Sequence, residues 1–176
     1  MIHSPLIIDD ALTNPEEYIK FAQTIPYWGP SATENWKGCR SSSLVDLNNE
    51  LFNNTISQLI EKTFTFNPEL VVSYDGAIAI HFHYLTKEFI ADYSWIHKDI
   101  SLFAGVLYLN HKKNSGTNFY DENKNLAFKV KSKYNRLVVY NGNLFHAAES
   151  GFGDSVLNSR LTLIFFVYNF SIKGRG

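Results

Sequence analysis

Cysteine and methionine each occur once in the 176 residues, and no apolar run is longer than Leu163 to Tyr168. With Cys39 alone, an intrachain disulfide is impossible, and neither a thiolate zinc site nor a CxxC redox site can be assembled. The longest apolar run is far too short to cross a bilayer, which takes about 20 residues. The opening Met1-Ile2-His3-Ser4-Pro5 has no basic stretch followed by an apolar one, so no secretory leader is expected and a cytoplasmic location is. An excess of one charge is lacking too: 16 Lys and Arg stand against 17 Asp and Glu, a net charge of −1. There is thus no global electrostatic motive for a polyanion partner. Repeats, low-complexity tracts and linkers are missing, which predicts one domain over residues 1–176.

What the chain does have is apolar and aromatic surface. Hydrophobic residues make up 45% and aromatics 15%, with 14 Phe and 10 Tyr, a composition suited to strands and flat-walled cavities. Thr13-Asn14-Pro15-Glu16-Glu17 combines a cap, a proline at the first helical position and acids in the first turn, predicting a helix from about Pro15 to Gln23. Leu47, Leu51, Phe52, Ile56, Leu59 and Ile60 recur at helical spacing after Asp46, predicting a second helix to about Lys62. Between them Ile25 to Ser43, rich in Pro, Gly, Ser and Trp, reads as a long structured loop. From Leu70 the pattern changes to short β-branched and aromatic runs: Leu70 to Tyr74, Ala77 to Tyr84, Leu102 to Leu109, Leu126 to Val130, Arg136 to Tyr140, Leu144 to Ala148 and Leu161 to Tyr168. Asp75-Gly76 and Asn141-Gly142 read as hairpin turns. Strands without intervening helices predict an antiparallel sandwich or barrel, with helical support over about 1–66 and a β core over about 70–170.

Three polar residues stand at strand edges. In extended chain, His97 and Asp99 project to the same side and offer an imidazole and a carboxylate to one centre. His146 follows the Asn141-Gly142 turn and supplies a third ligand. Two histidines and one carboxylate on one face of a divalent metal leave open positions, as non-haem Fe(II) requires. Arg160 opens the most apolar strand, where a cation has no structural motive. A guanidinium in such a place needs a partner, and a ligand carboxylate held bidentately is the simplest one; Asp154 and Glu149 are the nearby alternatives. Thr162, two residues on, shares its side of the strand.

The order His97-x-Asp99, His146 and Arg160 resembles the Fe(II)- and 2-oxoglutarate-dependent dioxygenases, in particular their prolyl 4-hydroxylase-like branch. Phe82-His83-Tyr84, Gly105 to Asn110, Ser115-Gly116-Thr117-Asn118-Phe119 and Arg136 to Tyr140 add to the likeness, which spans about residues 78 to 168. The resemblance implies a mainly β double-stranded β-helix, a jelly roll of the cupin type, buttressed by two N-terminal helices. It implies Fe(II) on His97, Asp99 and His146, with 2-oxoglutarate as co-substrate and O2 as oxidant. Arg160 would pair with the distal carboxylate of 2-oxoglutarate, with Tyr84, Tyr108 and Thr162 completing that pocket. The reaction implied is hydroxylation of a C–H bond in an amino-acid, peptidyl or small-molecule substrate, coupled to decarboxylation of 2-oxoglutarate to succinate. The aspartate matters here, because halogenases of this class lack it. Trp36-Lys37-Gly38-Cys39-Arg40-Ser41-Ser42 is similar to a segment near the substrate groove of prolyl hydroxylases, which would put Arg40 and Trp36 at the substrate entrance.

Blander readings accompany several of these residues. His81 and His83 also alternate, and read as core or cavity-wall positions; His3 and His111 read as surface. Lys112, Lys113, Lys124, Lys129, Lys131, Lys133 and Arg136 outnumber Asp121 and Glu122, which suits an acidic substrate or a nucleic acid but is more commonly a solvated strand face. Two alternatives to the hydroxylase follow: a nucleic-acid or small-metabolite demethylase of the same superfamily, and a cupin-like module that binds metal or ligand without turnover.

Overall fold

The computed structural model describes residues 4–34, 36–63, 73–75, 77–111, 115–169 and 171–173. Its frame is a six-stranded antiparallel sheet. Strands β1 (Leu6–Ile8), β2 (Cys39–Arg40), β4 (Ile78–Leu85), β5 (Phe103–Tyr108), β8 (Leu137–Asn141) and β10 (Arg160–Val167) lie in the order β1-β8-β5-β10-β4-β2. A smaller sheet of β6 (Thr117–Tyr120), β7 (Leu126–Val130) and β9 (Phe145–Ala148) has the order β7-β6-β9, and β3 (Ser73–Asp75) pairs with β11 (Ser171–Lys173). The two larger sheets are the walls of a double-stranded β-helix.

Alternation along the strands explains why the large sheet has two different faces. Ile80 and Phe82 on β4, Leu107 on β5, Leu137 on β8 and Leu161, Leu163 and Phe165 on β10 point outward. There they pack with Tyr18 and Ala22 of α1 (Pro15–Ala22), Leu44 of α2 (Leu44–Leu47) and Leu51, Phe52, Ile56 and Leu59 of α3 (Asn49–Thr63). The residues between them, Ala104, Val106, Tyr108, Val138, Tyr140 and Ile164, point inward and meet Phe119 and Val130 of the small sheet. Gly105 lies directly opposite Phe165, and a Cβ there would stand 1.9 Å from the phenyl ring, so the ring needs the glycine.

Several elements depart from the pattern read in the sequence. Instead of one helix starting after Asp46, the chain makes one turn at Leu44–Leu47 and breaks at Asn48, which is extended (φ −159°, ψ 94°). The Asn48 side chain then accepts a hydrogen bond from the Leu51 amide at 2.9 Å and so opens α3. The expected loop from Ile25 to Ser43 contributes an edge: Cys39 and Arg40 pair with Tyr84 and His83, and Trp28 bridges Arg40. Neither predicted hairpin joins its flanking strands. Asn141-Gly142 carries the chain from the large sheet to the small one, and Ser73–Asp75 pairs with β11 instead of β4. Residues 70–72 of the expected first strand, Gly76 of its turn, His3, Lys112 and Lys113 lie outside the described residues. Among the described residues no helix is long and apolar enough to cross a membrane.

Candidate metal centre and its cavity

A 3-10 turn, Tyr93–Trp95, begins at Asp92, whose carboxylate accepts the Ser94 amide at 2.7 Å, and leads into the first pair of site residues. Beyond it the chain is extended and docks on the stretch after β8. His97 and His146 form an antiparallel bridge (N to O, 3.1 and 2.9 Å), and the Asp99 amide donates to the Gly142 carbonyl at 2.8 Å. This pairing carries His97 and Asp99 onto the same side as His146. Each imidazole is oriented by its own backbone: Nδ1 of His97 lies 2.7 Å from the Trp95 carbonyl and Nδ1 of His146 lies 2.9 Å from that of Leu144. Those carbonyls only accept, so both Nδ1 atoms carry a proton and both Nε2 atoms are the ones left to serve as ligand atoms.

The two Nε2 atoms face Asp99, at 3.6 Å from Oδ1 for His97 and 3.4 Å from Oδ2 for His146. All three ligand atoms lie within 4.8 Å of one another. Ligands bound at right angles about 2.1 Å from a metal stand about 3 Å apart, so small side-chain adjustments close this set on one ion. Electrostatics favour that ion. Asp99 Oδ2 is buried without a hydrogen-bond partner, and a cation lying between the carboxylate and the two Nε2 atoms supplies one. Burial raises the Asp99 pKa, against the pull of His97 and Arg40. Burial, reinforced by the neighbouring His97, pushes His146 down to about 3. A metal ion satisfies all three groups, and a donor set of two nitrogens and one oxygen suits a divalent transition metal.

The triad lines one part of a cavity of about 470 Å³ whose wall also includes Arg160. Only 2% exposed, Arg160 is fixed by its surroundings: Nε donates to the Ser115 carbonyl at 3.3 Å and Nη2 to the Gly116 carbonyl at 3.0 Å and Thr117 Oγ1 at 3.4 Å, with the Tyr108 ring beneath at 5.4 Å. No carboxylate of the described residues lies within salt-bridge distance of it. Glu149 instead accepts the Gly116 amide at 2.7 Å and pairs with Lys129, and Asp154 accepts from Asn158. A desolvated guanidinium without a counter-charge beside a triad that could hold a metal is a place suited to an anion.

The other expected pocket residues divide. Arg40 and Trp36 line the cavity, and His83 is a wall residue whose Nε2 donates to the Lys37 carbonyl at 2.6 Å. His81 bonds the Ser41 carbonyl through Nδ1. Tyr84 is a correction: it lies on the outer face, its ring 5.0 Å from Tyr27 and packed into the helix-side core, because its alternation matches Ile80 and Phe82. Thr162 and Tyr108 are fully buried behind the cavity wall. The Thr162 hydroxyl donates to the His83 carbonyl at 3.1 Å, and the Tyr108 hydroxyl is 2.7 Å from Thr117 Oγ1, so both support the site without facing it. Tyr140 and Thr117, not picked out as site residues, do line it. Burial and the Asp99 charge raise the Tyr140 pKa well above the ordinary value, and its hydroxyl makes no hydrogen bond among the described residues. The signal was available: Tyr140 is in phase with Val138, an inward position.

Of the five described Lys and Arg residues in the basic stretch from His111 to Arg136, three are in ion pairs. Lys133 and Arg136 meet Asp9 at 2.8 and 2.7 Å, and Lys129 meets Glu149 at 3.4 Å, which leaves no continuous basic track among the described residues.

A family model described as a family of unknown function, DUF6445, matches residues 3–129, a span that includes His97 and Asp99 and stops short of His146 and Arg160. No curated protein matches the sequence. Solved structures do match the fold. An oxidoreductase of the 2OG-Fe(II) oxygenase family from Burkholderia pseudomallei aligns over 94% of this chain and 84% of its own, with a TM-score of 0.60 at 12% identity. A prolyl hydroxylase from Trichoplax adhaerens, solved with a hypoxia inducible factor peptide, aligns over 94% and 83% with a TM-score of 0.58 at 11% identity. The non-haem alpha ketoglutarate dependent epimerase SnoN of nogalamycin biosynthesis aligns over 97% and 79% with a TM-score of 0.60 at 11% identity. The fold of this chain is therefore the jelly roll of the 2-oxoglutarate oxygenases.

Proposed function

We propose that this chain, which belongs to the DUF6445 family, is an Fe(II)- and 2-oxoglutarate-dependent oxygenase that hydroxylates a C–H bond of an amino-acid or peptidyl side chain, with the whole chain acting as one catalytic unit. The observation that carries this reading is the pairing, in one cavity, of an Asp99 carboxylate that faces Nε2 of His97 and of His146 and keeps a buried oxygen without a hydrogen-bond partner, with an acid-free guanidinium on Arg160. The first accounts for a metal and the second for a co-substrate that presents a carboxylate at a distance from it.

His97, His146 and Asp99 would hold the iron. When bound, the metal supplies O2 activation coupled to oxidative decarboxylation of 2-oxoglutarate. The chain's own groups bind and orient. Arg160 receives the distal carboxylate; its Nε and Nη2 are spent on the Ser115 and Gly116 carbonyls, and these bonds aim the remaining edge of the guanidinium into the cavity. Tyr140, which lines the cavity and is still protonated at physiological pH, donates its hydroxyl hydrogen to the co-substrate. Val106 and Ile164 keep the cavity wall on the Arg160 side apolar, which strengthens the Arg160 ion pair by excluding water.

The test begins anaerobically with metal-free protein, Fe(II) and 2-oxoglutarate, followed by admission of O2 and measurement of succinate. Iron-dependent succinate release supports the reading. Arg160→Ala is expected to weaken 2-oxoglutarate binding by about 30-fold or more, the cost of removing one partner of a buried charge pair, and to leave Fe(II) binding largely intact. Equal loss of both assigns Arg160 a structural role. Metal binding without any succinate leaves a binding module of cupin type. Stimulation of turnover by peptides, by free amino acids or by oligonucleotides separates the substrate classes.

A further inference from the structure

Arg40 is a second guanidinium in the same cavity, and nothing in the reaction outlined above uses it. Its position is built rather than incidental. Gly38, at φ +89°, turns the chain tightly against β4, where a Cβ would stand 2.6 Å from the Tyr84 carbonyl, and the following pair Cys39–Arg40 joins the sheet edge. The guanidinium carbon lies 4.3 Å from the Trp36 ring centre and 5.6 Å from that of Phe166, so two aromatic rings hold it. Its Nε is buried without a hydrogen-bond partner, and among the described residues no carboxylate lies within salt-bridge distance of it. The acids whose charge it feels are Asp99, a ligand of the triad, and Glu34, which already accepts the Ser31 amide at 2.8 Å.

Charge counting then separates the two arginines. A divalent metal and Arg160 are together balanced by Asp99 and the two carboxylates of 2-oxoglutarate. Of the other cations that line the cavity, Lys98 pairs with Glu122 at 3.0 Å and Lys37 is exposed to solvent; Arg40 remains, stripped of much of its water, with one positive charge to satisfy. Its aromatic supports leave the guanidinium edge as its binding surface, and that planar fork matches a planar carboxylate. The neighbouring Ile164 and Phe166 offer no hydrogen bond, so the group next to the anion is apolar.

We propose that the molecule oxidised is a small carboxylic acid, free amino acids included, whose carboxylate is gripped by Arg40 while an apolar portion lies along the Ile164 and Phe166 wall. This rests on the oxygenase reading and selects within it: a residue inside a peptide has no free α-carboxylate to offer.

The test uses the full chain loaded with Zn(II), which is redox-silent, and saturated with 2-oxoglutarate. Binding of 2-oxoglutarate is measured first by calorimetry, and its failure overturns the oxygenase reading itself. Benzoate, benzamide and phenyl phosphate, matched in their rings, are then titrated. Benzoate is expected to bind at least about tenfold more tightly than benzamide, the worth of one charge-assisted hydrogen bond. Arg40→Gln is expected to erase that preference and to leave 2-oxoglutarate affinity within about threefold, whereas Arg40→Lys, which keeps the charge but not the fork, retains part of it. Equal affinity for benzoate and benzamide, absence of benzoate binding, or a preference that survives in Arg40→Gln overturns the proposal. So does a tenfold loss of 2-oxoglutarate affinity in Arg40→Gln, which would make Arg40 a co-substrate residue. Phenyl phosphate binding tenfold tighter than benzoate overturns the choice of carboxylate in favour of a phosphate monoester.

Discussion

The two faces of the large sheet are made by the same strands and obey opposite rules. On the helix side, Phe82, Leu161, Leu163 and Phe165 are buried against α1 and α3 and nearly every contact is apolar. On the inner side of those same strands stand His83, Arg160 and Thr162, each buried and each polar. One residue of register separates a surface that stabilises the protein from one that holds unfavourable charge in place, and β10 carries both at alternate positions. The lesson is about cost: the helix face supplies the free energy that lets the inner face keep a desolvated arginine and an orphaned carboxylate.

Substitutions break this contrast with effects of different kind and size. The largest falls on the inner face: His146→Ala is expected to lower metal affinity by more than about 100-fold, since even outer partners of metal ligands cost 10–100-fold, and to abolish succinate formation while far-UV circular dichroism is unchanged. A variant that binds metal normally would remove His146 from the ligand set. Next comes Leu163→Ala on the helix face, expected to cost about 2–5 kcal/mol of stability in urea titrations and to leave metal affinity unaltered in the folded protein.

A smaller effect sharpens the contrast through pH. Burial, and then the charge of Arg40, holds His83 down to about 3, whereas the unfolded chain titrates near 6.5. Between those values the unfolded chain takes up a proton that the folded one refuses. Stability is therefore full above about pH 6.5 and falls on acidification, by about 1.4 kcal/mol per pH unit for this one group. In the metal-free protein, His83→Gln is expected to lose less stability than wild type between pH 7 and pH 5; parallel curves would mean that His83 charges freely. The smallest effect lies outside both faces. Asp9 is held well below the usual carboxylate range by Arg136 and Lys133, so its contribution is present above about pH 4 and is lost as pH falls further. Because the pair is solvent-exposed, Asp9→Asn is expected to cost no more than about 1 kcal/mol.

What could be read in the sequence follows from these physics. The convergence of His97, Asp99 and His146 was legible because ligand chemistry restricts residue type and extended chain restricts spacing. Arg160 was legible because a cation opening an apolar strand is costly. Tyr84 misled because tyrosine is at home on either face; its phase with Ile80 and Phe82, not its chemistry, decides where it points. The short strands β1, β2 and β6 escaped notice because two to four residues give too few alternations to detect, and β2 sits in a stretch whose Gly and Ser content reads as loop. The break at Asn48 was hidden because the apolar stripe continues across it.

The bridge between His97 and His146 joins segments far apart in the chain, and Arg160 reaches from the large sheet to carbonyls that precede the small one. Contacts of such long sequence separation carry a loop-closure entropy cost that grows with the separation, and their prevalence slows folding. The two halves of the candidate site are accordingly completed by separate closures: the triad when the segment around His97 and Asp99 docks on Gly142 and His146, and the Arg160 anchor when β10 meets the turn before β6.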